Sequence, residues 1–131
     1  MKVLDLEQLK RLKDILPIES ADTYMCRSKD GTAIKIDANS FSTRKQMWED
    51  YFEVIPYWSL AALFNVLPTT IGNFFKKNAL RLRMDKGEND FNIWYENLDC
   101  GDVVEGLDVV ESNPVDACYE MILKLHELNL L

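Results

Sequence analysis

The residues with the clearest capacity for chemistry in this 131-residue chain are three cysteines and one histidine, because a thiol beside an imidazole base is a common nucleophile. Cys118 and His126 are eight residues apart on one predicted helix, which separates them by roughly 12 Å along its axis. A nucleophile and its base need direct contact, so this pair is excluded. Cys26 and Cys118 are better interpreted as buried apolar residues, and nothing in the sequence brings Cys26 or Cys100 to His126. The sequence therefore offers no candidate catalytic residue.

Carboxylates are the second source of candidate chemistry. Asp99, Asp102, Glu105 and Asp108 recur at every third position, whereas a calcium loop needs oxygen ligands at alternating positions around a glycine. A solvated acidic loop is therefore the favoured interpretation. One histidine and three cysteines are too few for a multi-histidine or four-thiolate metal site, and the five glycines form no phosphate-binding loop. We expect no metal, no other cofactor and no conventional catalytic site.

A candidate partner surface comes from two predicted strands. Arg81, Arg83, Asn92 and Trp94 alternate with apolar residues, so all four project from the face opposite the apolar one. The predicted pairing sets Arg81 opposite Trp94. A cation–π pair between them explains this arrangement and contributes about 0.5–1 kcal/mol at an exposed site. The functional alternative is a stacking site for a base or a peptide.

Charge is distributed unevenly along the chain. Fifteen Lys and Arg against twenty-two Asp and Glu give a net charge of −7, which makes direct nucleic-acid binding unlikely. Residues 76–86 hold five basic residues, while residues 87–120 hold ten acidic residues and no basic one. The favoured interpretation is that the two segments neutralise each other, because the strands that carry part of each are paired. The alternatives are a docking surface for a charged partner and an acidic mimic of nucleic acid. The last of these requires all ten carboxylates to lie on one continuous surface.

The composition, with 47% hydrophobic and 28% charged residues, is typical of a soluble globular protein. No apolar run is long enough to cross a membrane. The start of the chain also lacks the apolar region of a signal peptide. We therefore expect a cytoplasmic protein with no membrane partner.

The periodicity predicts a single α+β domain over residues 1–131, with antiparallel sheet built from hairpins. A capping box at Asp5 and Gln8 marks the first helix, and Asn113 followed by Pro114 marks the last. The predicted helices cover residues 5–16, 43–55, 60–67 and 114–128. The predicted hairpins are 22–28/32–38 and 79–85/91–97, with a further short strand at 107–111.

The hydrophobic pattern also predicts how the strands pair. In the first hairpin a three-residue loop ending at Gly31 sets Cys26 opposite Ile34 and Tyr24 opposite Ile36. In the second hairpin the predicted register sets apolar residues opposite one another, as Met84–Phe91, Leu82–Ile93 and Leu80–Tyr95. Because a two-stranded hairpin is marginal in water, we expect the helices at 60–67 and 114–128 to pack on its apolar face.

Three stretches together resemble a known group of proteins. They are Ile55 to Leu63 running on to Leu67-Pro68, the triplet Trp94-Tyr95-Glu96, and Asn113 to Cys118 leading to Met121 and Leu125. Over residues 53–131 the chain resembles small uncharacterised proteins carried by phages and integrated mobile elements of gut Bacteroidetes. The resemblance implies an accessory protein of a mobile element, and it implies no activity and no functional residue.

These observations favour a non-enzymatic binding or accessory protein whose partner is another protein. One alternative is a small nucleotide- or metabolite-binding protein, or an enzyme, that uses the face formed by Arg81, Arg83 and Trp94. A second alternative is an acidic mimic of nucleic acid. The sequence leaves the partner and the oligomeric state open.

Overall fold

The computed structural model describes residues 2–37, 53–72 and 79–131. Its helices are α1 (Leu6–Ile15), α2 (Leu60–Val66) and α3 (Pro114–Glu127), with a 3-10 turn at Ile18–Ser20. Its strands are β1 (Thr23–Arg27), β2 (Ala33–Asp37), β3 (Glu53–Tyr57), β4 (Thr70–Ile71), β5 (Leu80–Lys86), β6 (Phe91–Asn97) and β7 (Val103–Glu111). All described strand pairs are antiparallel. The predicted α+β class is confirmed.

The chain divides into two compact units. One is Val3–Ala62, here the N-terminal unit, and the other is Leu63–Leu131 together with the first two residues, here the C-terminal unit. The described strands form one sheet in each unit, in the orders β2-β1-β3 and β4-β5-β6-β7. The prediction of one domain stays a prediction.

The first helix begins where its capping signal predicts. The Asp5 side chain accepts a hydrogen bond from the Gln8 backbone N–H at 2.9 Å, and the Gln8 side chain accepts from the Asp5 N–H at 3.0 Å. This capping box satisfies donors that the first turn otherwise leaves unpaired. Leu9 and Leu12 are buried, while Leu6 is exposed, and α1 packs against β3.

The first predicted hairpin is confirmed in both extent and register. Cys26 pairs with Ile34 and Tyr24 with Ile36. The loop closes through the Ser28 N–H, which donates to the Thr32 carbonyl at 3.0 Å. Gly31 has a φ of 91°, a left-handed conformation that glycine adopts without steric cost.

The predicted helix at 43–55 is wrong at its C-terminal end. Residues 43–52 lie outside the described residues, and Glu53 to Tyr57 form β3, which pairs with β1. The helical spacing of apolar residues extends into a short run, Val54-Ile55-Pro56, that is buried as a strand instead. Proline lacks the backbone donor that a central strand needs. It is accommodated because β3 is an edge strand of the described sheet.

The core of the C-terminal unit lies between α3 and one face of its sheet. Helix α3 packs on β6 and β7, and the Asn113 side chain caps it by accepting from the Asp116 N–H at 2.9 Å. The buried residues of this core are Ile93, Tyr95, Leu107, Val109, Ala117, Cys118, Met121, Ile122 and Leu125. The last helix therefore packs on strand β6 of the predicted hairpin, as expected, but its other main partner is β7 and not β5. Helix α2 spans the division between the two units, and its predicted packing on the hairpin stays a prediction.

The predicted register of the second hairpin is wrong by two residues. Leu82 pairs with Tyr95, Met84 with Ile93, and Lys86 with Phe91, so the turn is Gly87–Asp90, closed by the Gly87 N–H donating to the Asp90 carbonyl at 3.0 Å. A slip of two residues keeps every side chain on its face. The apolar pattern therefore could not discriminate between the two registers.

The third strand of this sheet is longer than the predicted 107–111. Strand β7 starts at Val103, and its pairing with β6 is interrupted between Trp94 and Glu96. Four residues of β7, Val104 to Leu107, lie opposite the single residue Tyr95, which makes a large β-bulge. Gly106 lies in the bulge with a φ of 85°. The sequence did not predict the short strand β4, which pairs with β5.

Candidate functional site

The four residues singled out from the sequence lie on one surface of the C-terminal unit. Because Ile93, Tyr95 and Val109 face α3, the residues that alternate with them project from the opposite side of the sheet. We call this side the outer face. It consists of three rows across β5, β6 and β7: Arg81–Glu96–Val103, Arg83–Trp94–Asp108 and Asp85–Asn92–Val110. The alternation of the two strands correctly predicted that Arg81, Arg83, Asn92 and Trp94 share a face.

Glu96 joins the two arginines of the outer face. Its Oε1 accepts from Arg81 Nε at 3.1 Å and from Arg81 Nη2 at 2.5 Å, and it lies 3.6 Å from Arg83 Nε. The hydrogen bond from Arg81, followed by the positive charges of both arginines, lowers the pKa of Glu96 against the opposing effect of its partial burial. Glu96 thus holds Arg81 and Arg83 together on the outer face.

This geometry corrects the predicted cation–π pair. Arg81 lies opposite Glu96 and not opposite Trp94, and the residue paired with Trp94 is Arg83. Among the described residues the structure shows a cation–π contact between Lys35 and Tyr57, at 4.2 Å from Nζ to the ring centroid, and none between Trp94 and an arginine. The correction follows directly from the two-residue change of register, which moves each arginine by one row.

The β7 side of the outer face is apolar and open. A shallow groove of about 190 Å³ is lined by Asn92, Trp94, Val103, Asp108 and Val110 among others. Val103 is 54% exposed and Val110 is 61% exposed, which is unusual for valines on a well-formed strand. The Asn92 Oδ1 atom is buried and makes no hydrogen bond with any described residue. A buried oxygen of this kind usually has a donor, but it is enclosed by the protein, so the groove presents mainly apolar surface.

Sequence reasoning singled out four of the nine residues of this surface and missed five. Glu96 follows Trp94 by two positions, so the alternation that selected Trp94 was sufficient to find it. Asp108 and Val110 lie on the predicted strand 107–111 and needed only the correct pairing with β6. The face on which Val103 lies could not be predicted, because the bulge at 104–107 interrupts the alternation between Val103 and the rest of β7.

The described part of the chain contains no catalytic cluster that we could identify. Cys26 and Cys118 are buried and free, and burial raises the pKa of the Cys118 thiol to about 12, so it is not a thiolate at neutral pH. Cys100 is free and exposed, and His126 is exposed on α3. No group of three or more His, Cys, Asp or Glu within 2–37, 53–72 and 79–131 could hold a metal ion. These positions agree with the interpretation of Cys26 and Cys118 as apolar core residues.

A larger groove of about 430 Å³ lies near the start of α3, where Lys86, Gly87, Asn89, Phe91 and Ser112 line it. The first turn of the helix is already occupied, since Asn113 accepts from the Asp116 N–H. The Asp116 carboxylate in turn accepts from Asn113 Nδ2 at 2.8 Å and from Lys2 Nζ at 2.9 Å. Helix capping therefore uses the polar groups of the first turn, and this groove is not a helix N-terminal anion site.

The acidic residues of 87–120 do not form one surface. Glu96 and Asp108 lie on the outer face, whereas Asp116 and Glu120 belong to α3 on the other side of the sheet. Glu96 is paired with both arginines, and Asp116 is paired with Lys2. This distribution gives no support to the mimic of nucleic acid, which requires one continuous acidic surface.

Comparisons of the chain with protein-family models, with curated proteins and with solved structures found no match. In the described residues no helix is both long enough and apolar enough to cross a membrane.

Proposed function

We propose that this chain is a non-enzymatic binding or accessory protein that binds another protein through its outer face. The observation that carries the proposal is the middle of that face, where Trp94 lies between Arg83 and Asp108 and beside two exposed valines. Tryptophan and arginine are enriched among the residues that dominate binding energy at protein interfaces. Isolated exposed apolar residues need no explanation, but an aromatic residue, valines and arginines gathered on one open sheet face are typical of an interface.

The small-molecule alternative has less support. Pockets for small ligands usually enclose about 300–1,000 Å³ and cover most of the ligand surface, whereas the groove beside Trp94 holds about 190 Å³ and is open. Arg81 is directed at Glu96, which leaves it less available to a phosphate group. A nucleotide would also need to stack on Trp94 while its phosphates approach the carboxylates of Glu96 and Asp108.

We also propose that the protein works in the cytoplasm as an accessory protein of a phage or mobile element. The origin rests on the resemblance over residues 53–131. The location is supported by the exposed free thiol of Cys100, because such thiols persist in reducing compartments.

A photo-crosslinking experiment tests the binding proposal. Val110 is replaced by p-benzoylphenylalanine, since its 61% exposure makes the substitution tolerable, and the control carries the same amino acid at the exposed His126 of α3. Irradiation in living cells should give a protein adduct from position 110 and none from position 126. Equal labelling at both positions, or none at position 110, would contradict the proposal.

A thermal-shift screen of nucleotides, metals and metabolites tests the alternative. A ligand that binds only the folded state raises its stability by mass action. Large stabilisation by one compound, lost in the Trp94→Ala variant, would favour the small-molecule function instead.

A further inference from the structure

We infer that the partner of the outer face is a second copy of this chain, in a face-to-face dimer with twofold symmetry. The inference rests on the proposed function, since it names the partner of the same surface. Its starting point is the central row, in which Arg83 pairs with Trp94 across β5 and β6 and Trp94 pairs with Asp108 across β6 and β7. A positive and a negative side chain therefore flank one aromatic residue on opposite sides.

The central row is complementary to itself. Adjacent strands are about 4.8 Å apart, so the backbones of Arg83 and Asp108 lie on opposite sides of Trp94 at about the same distance. A copy rotated by 180° about an axis parallel to β6, midway between the two facing sheets, presents its strands in reverse order. Its Asp108 then lies over Arg83, its Arg83 over Asp108, and its Trp94 over Trp94. Such an interface uses the same patch on both copies, as a twofold dimer requires, and sheets packed face to face commonly align within about 30°.

Both charged side chains of the central row can form a further ion pair. Arg83 shares the single Glu96 oxygen with Arg81, lies 3.6 Å from it, and has a side chain that is 52% exposed. Asp108 is exposed and forms no ion pair within the part of the chain that the structure describes. Contacts among residues 2–37, 53–72 and 79–131 therefore satisfy neither group fully. In the dimer each Arg83 meets one Asp108, which makes two equivalent ion pairs across the interface.

The neighbouring rows fit the same symmetry. Asn92 lies on β6 and therefore faces Asn92 of the second copy across the twofold axis. Its Oδ1 is already enclosed within one copy, so this row brings two neutral amides together and places no like charges opposite each other on the axis. In the other flanking row the alkyl part of Arg81 lies over Val103 of the second copy. Glu96 likewise faces Glu96 of the second copy, and the charge of each carboxylate is offset within its own copy by Arg81. Val110 against Asp85 adds no charge complementarity.

The size of the surface predicts the strength of the dimer. Nine side chains on three strands form a smaller patch than the roughly 800 Å² per partner of a standard stable interface. We therefore expect a weak dimer, with a dissociation constant on the order of 10 µM to 1 mM.

Analytical ultracentrifugation of charge-reversal variants tests the inference. The wild-type mass should rise with concentration from 15.2 kDa toward twice that value. In a dimer of Arg83→Glu the facing side chains at positions 83 and 108 are both acidic, and in a dimer of Asp108→Arg they are both basic. Each variant alone should therefore form a dimer with an affinity at least tenfold lower than that of the wild type. An equimolar mixture of the two variants restores both ion pairs, and it should recover dimer formation. Asp99→Arg, which makes the same charge change in the exposed turn after β6, is the matched control and should dimerise like the wild type.

The outcomes separate this inference from the proposed function. Circular dichroism confirms that each variant is folded, and recovery in the mixture cannot result from misfolding. A wild-type chain that stays monomeric up to 1 mM, a dimer that neither substitution weakens, or a mixture that fails to recover would overturn the inference. If the chain is monomeric and position 110 crosslinks to a different protein, the inference fails and the proposed function stands. If it is monomeric and position 110 crosslinks to nothing, both fail.

Discussion

Replacing Tyr95 with Phe gives a prediction that depends on both the packing and the electrostatics of the C-terminal core. Tyr95 is fully buried, and its hydroxyl donates a hydrogen bond of 2.7 Å to the Pro68 carbonyl. A hydrogen bond of this kind contributes about 0.5–1.5 kcal/mol, and a partner left unsatisfied adds to the loss. We therefore expect Tyr95→Phe to lower the free energy of unfolding by about 1–2 kcal/mol at pH 7.

The same substitution should become less harmful at alkaline pH. Burial raises the pKa of Tyr95 above the ordinary value of about 10 for a tyrosine, with a smaller contribution from the nearby Cys118. Above pH 10 the unfolded chain loses this phenolic proton and the folded chain retains it, so stability falls as the pH rises. At pH 11 the loss is about 1.4 kcal/mol for one such group. Phenylalanine has no proton to lose, so the two stability curves should converge near pH 11 and then cross.

Urea denaturation at intervals from pH 7 to pH 11.5 measures both effects. The other alkaline groups are present in both proteins, so they cancel in the difference between the curves. Ile93→Val is the matched control, because Ile93 lies on the same strand, is equally buried and cannot titrate. It should cost about 0.5–1.5 kcal/mol and follow the wild-type curve in parallel at every pH. A Tyr95→Phe curve that also stays parallel would show that the phenol ionises freely in the folded protein, and the reasoning would fail.

Three further predictions concern the core, a helix end and the register. Ile122→Ala should lower the free energy of unfolding by about 2–5 kcal/mol in urea denaturation, because Ile122 is fully buried on α3. Leu82→Ala should lower it by roughly half as much, since Leu82 is only half-buried. Equal losses in the two variants would contradict this prediction. Asn129 has a φ of 57° where α3 ends, so Asn129→Ala should be about 1 kcal/mol less stable than Asn129→Gly, and two equal midpoints would refute the strain. Nuclear Overhauser contacts should join Met84 to Ile93 across the hairpin, and contacts from Met84 to Phe91 in their place would restore the register that the sequence suggested.

Local signals along the chain predicted most of the elements correctly. A capping box, a three-residue loop with glycine and an Asn-Pro helix start each fix a boundary through contacts between residues that are near in sequence. These signals correctly predicted α1, the first hairpin and α3. Strand β3 was missed because its residues continue a helical spacing. Its strand conformation depends on pairing with β1, thirty positions away at Met25 and Ile55, and a local pattern cannot show such a partner.

The outer face shows what periodicity determines and what it leaves open. A period of two assigns each residue to a face, and that assignment survives a slip of two residues. It does not determine which residues lie side by side. In the predicted register Arg81 lies opposite Trp94, whereas in the structure Arg81 is opposite Glu96. The true register therefore depends on features that alternation ignores, here the Gly87–Asp90 turn and the pairing of Arg81 with Glu96.

The register also decides which arginine is available to a partner. Glu96 can neutralise one guanidinium fully, and the structure places Arg81 directly opposite it with two short hydrogen bonds. Arg83 makes only a longer contact with Glu96, at 3.6 Å, and it lies beside Trp94 in the same row as Asp108. Had the strands paired in the predicted register, the arginine beside Trp94 would be Arg81, and Arg83 would lie beside Asn92. Because Arg81 takes the short contacts with Glu96, Arg83 keeps only a contact of 3.6 Å to that carboxylate and can form an ion pair across the dimer interface. Reversing the charge of Arg83 should therefore separate the two copies.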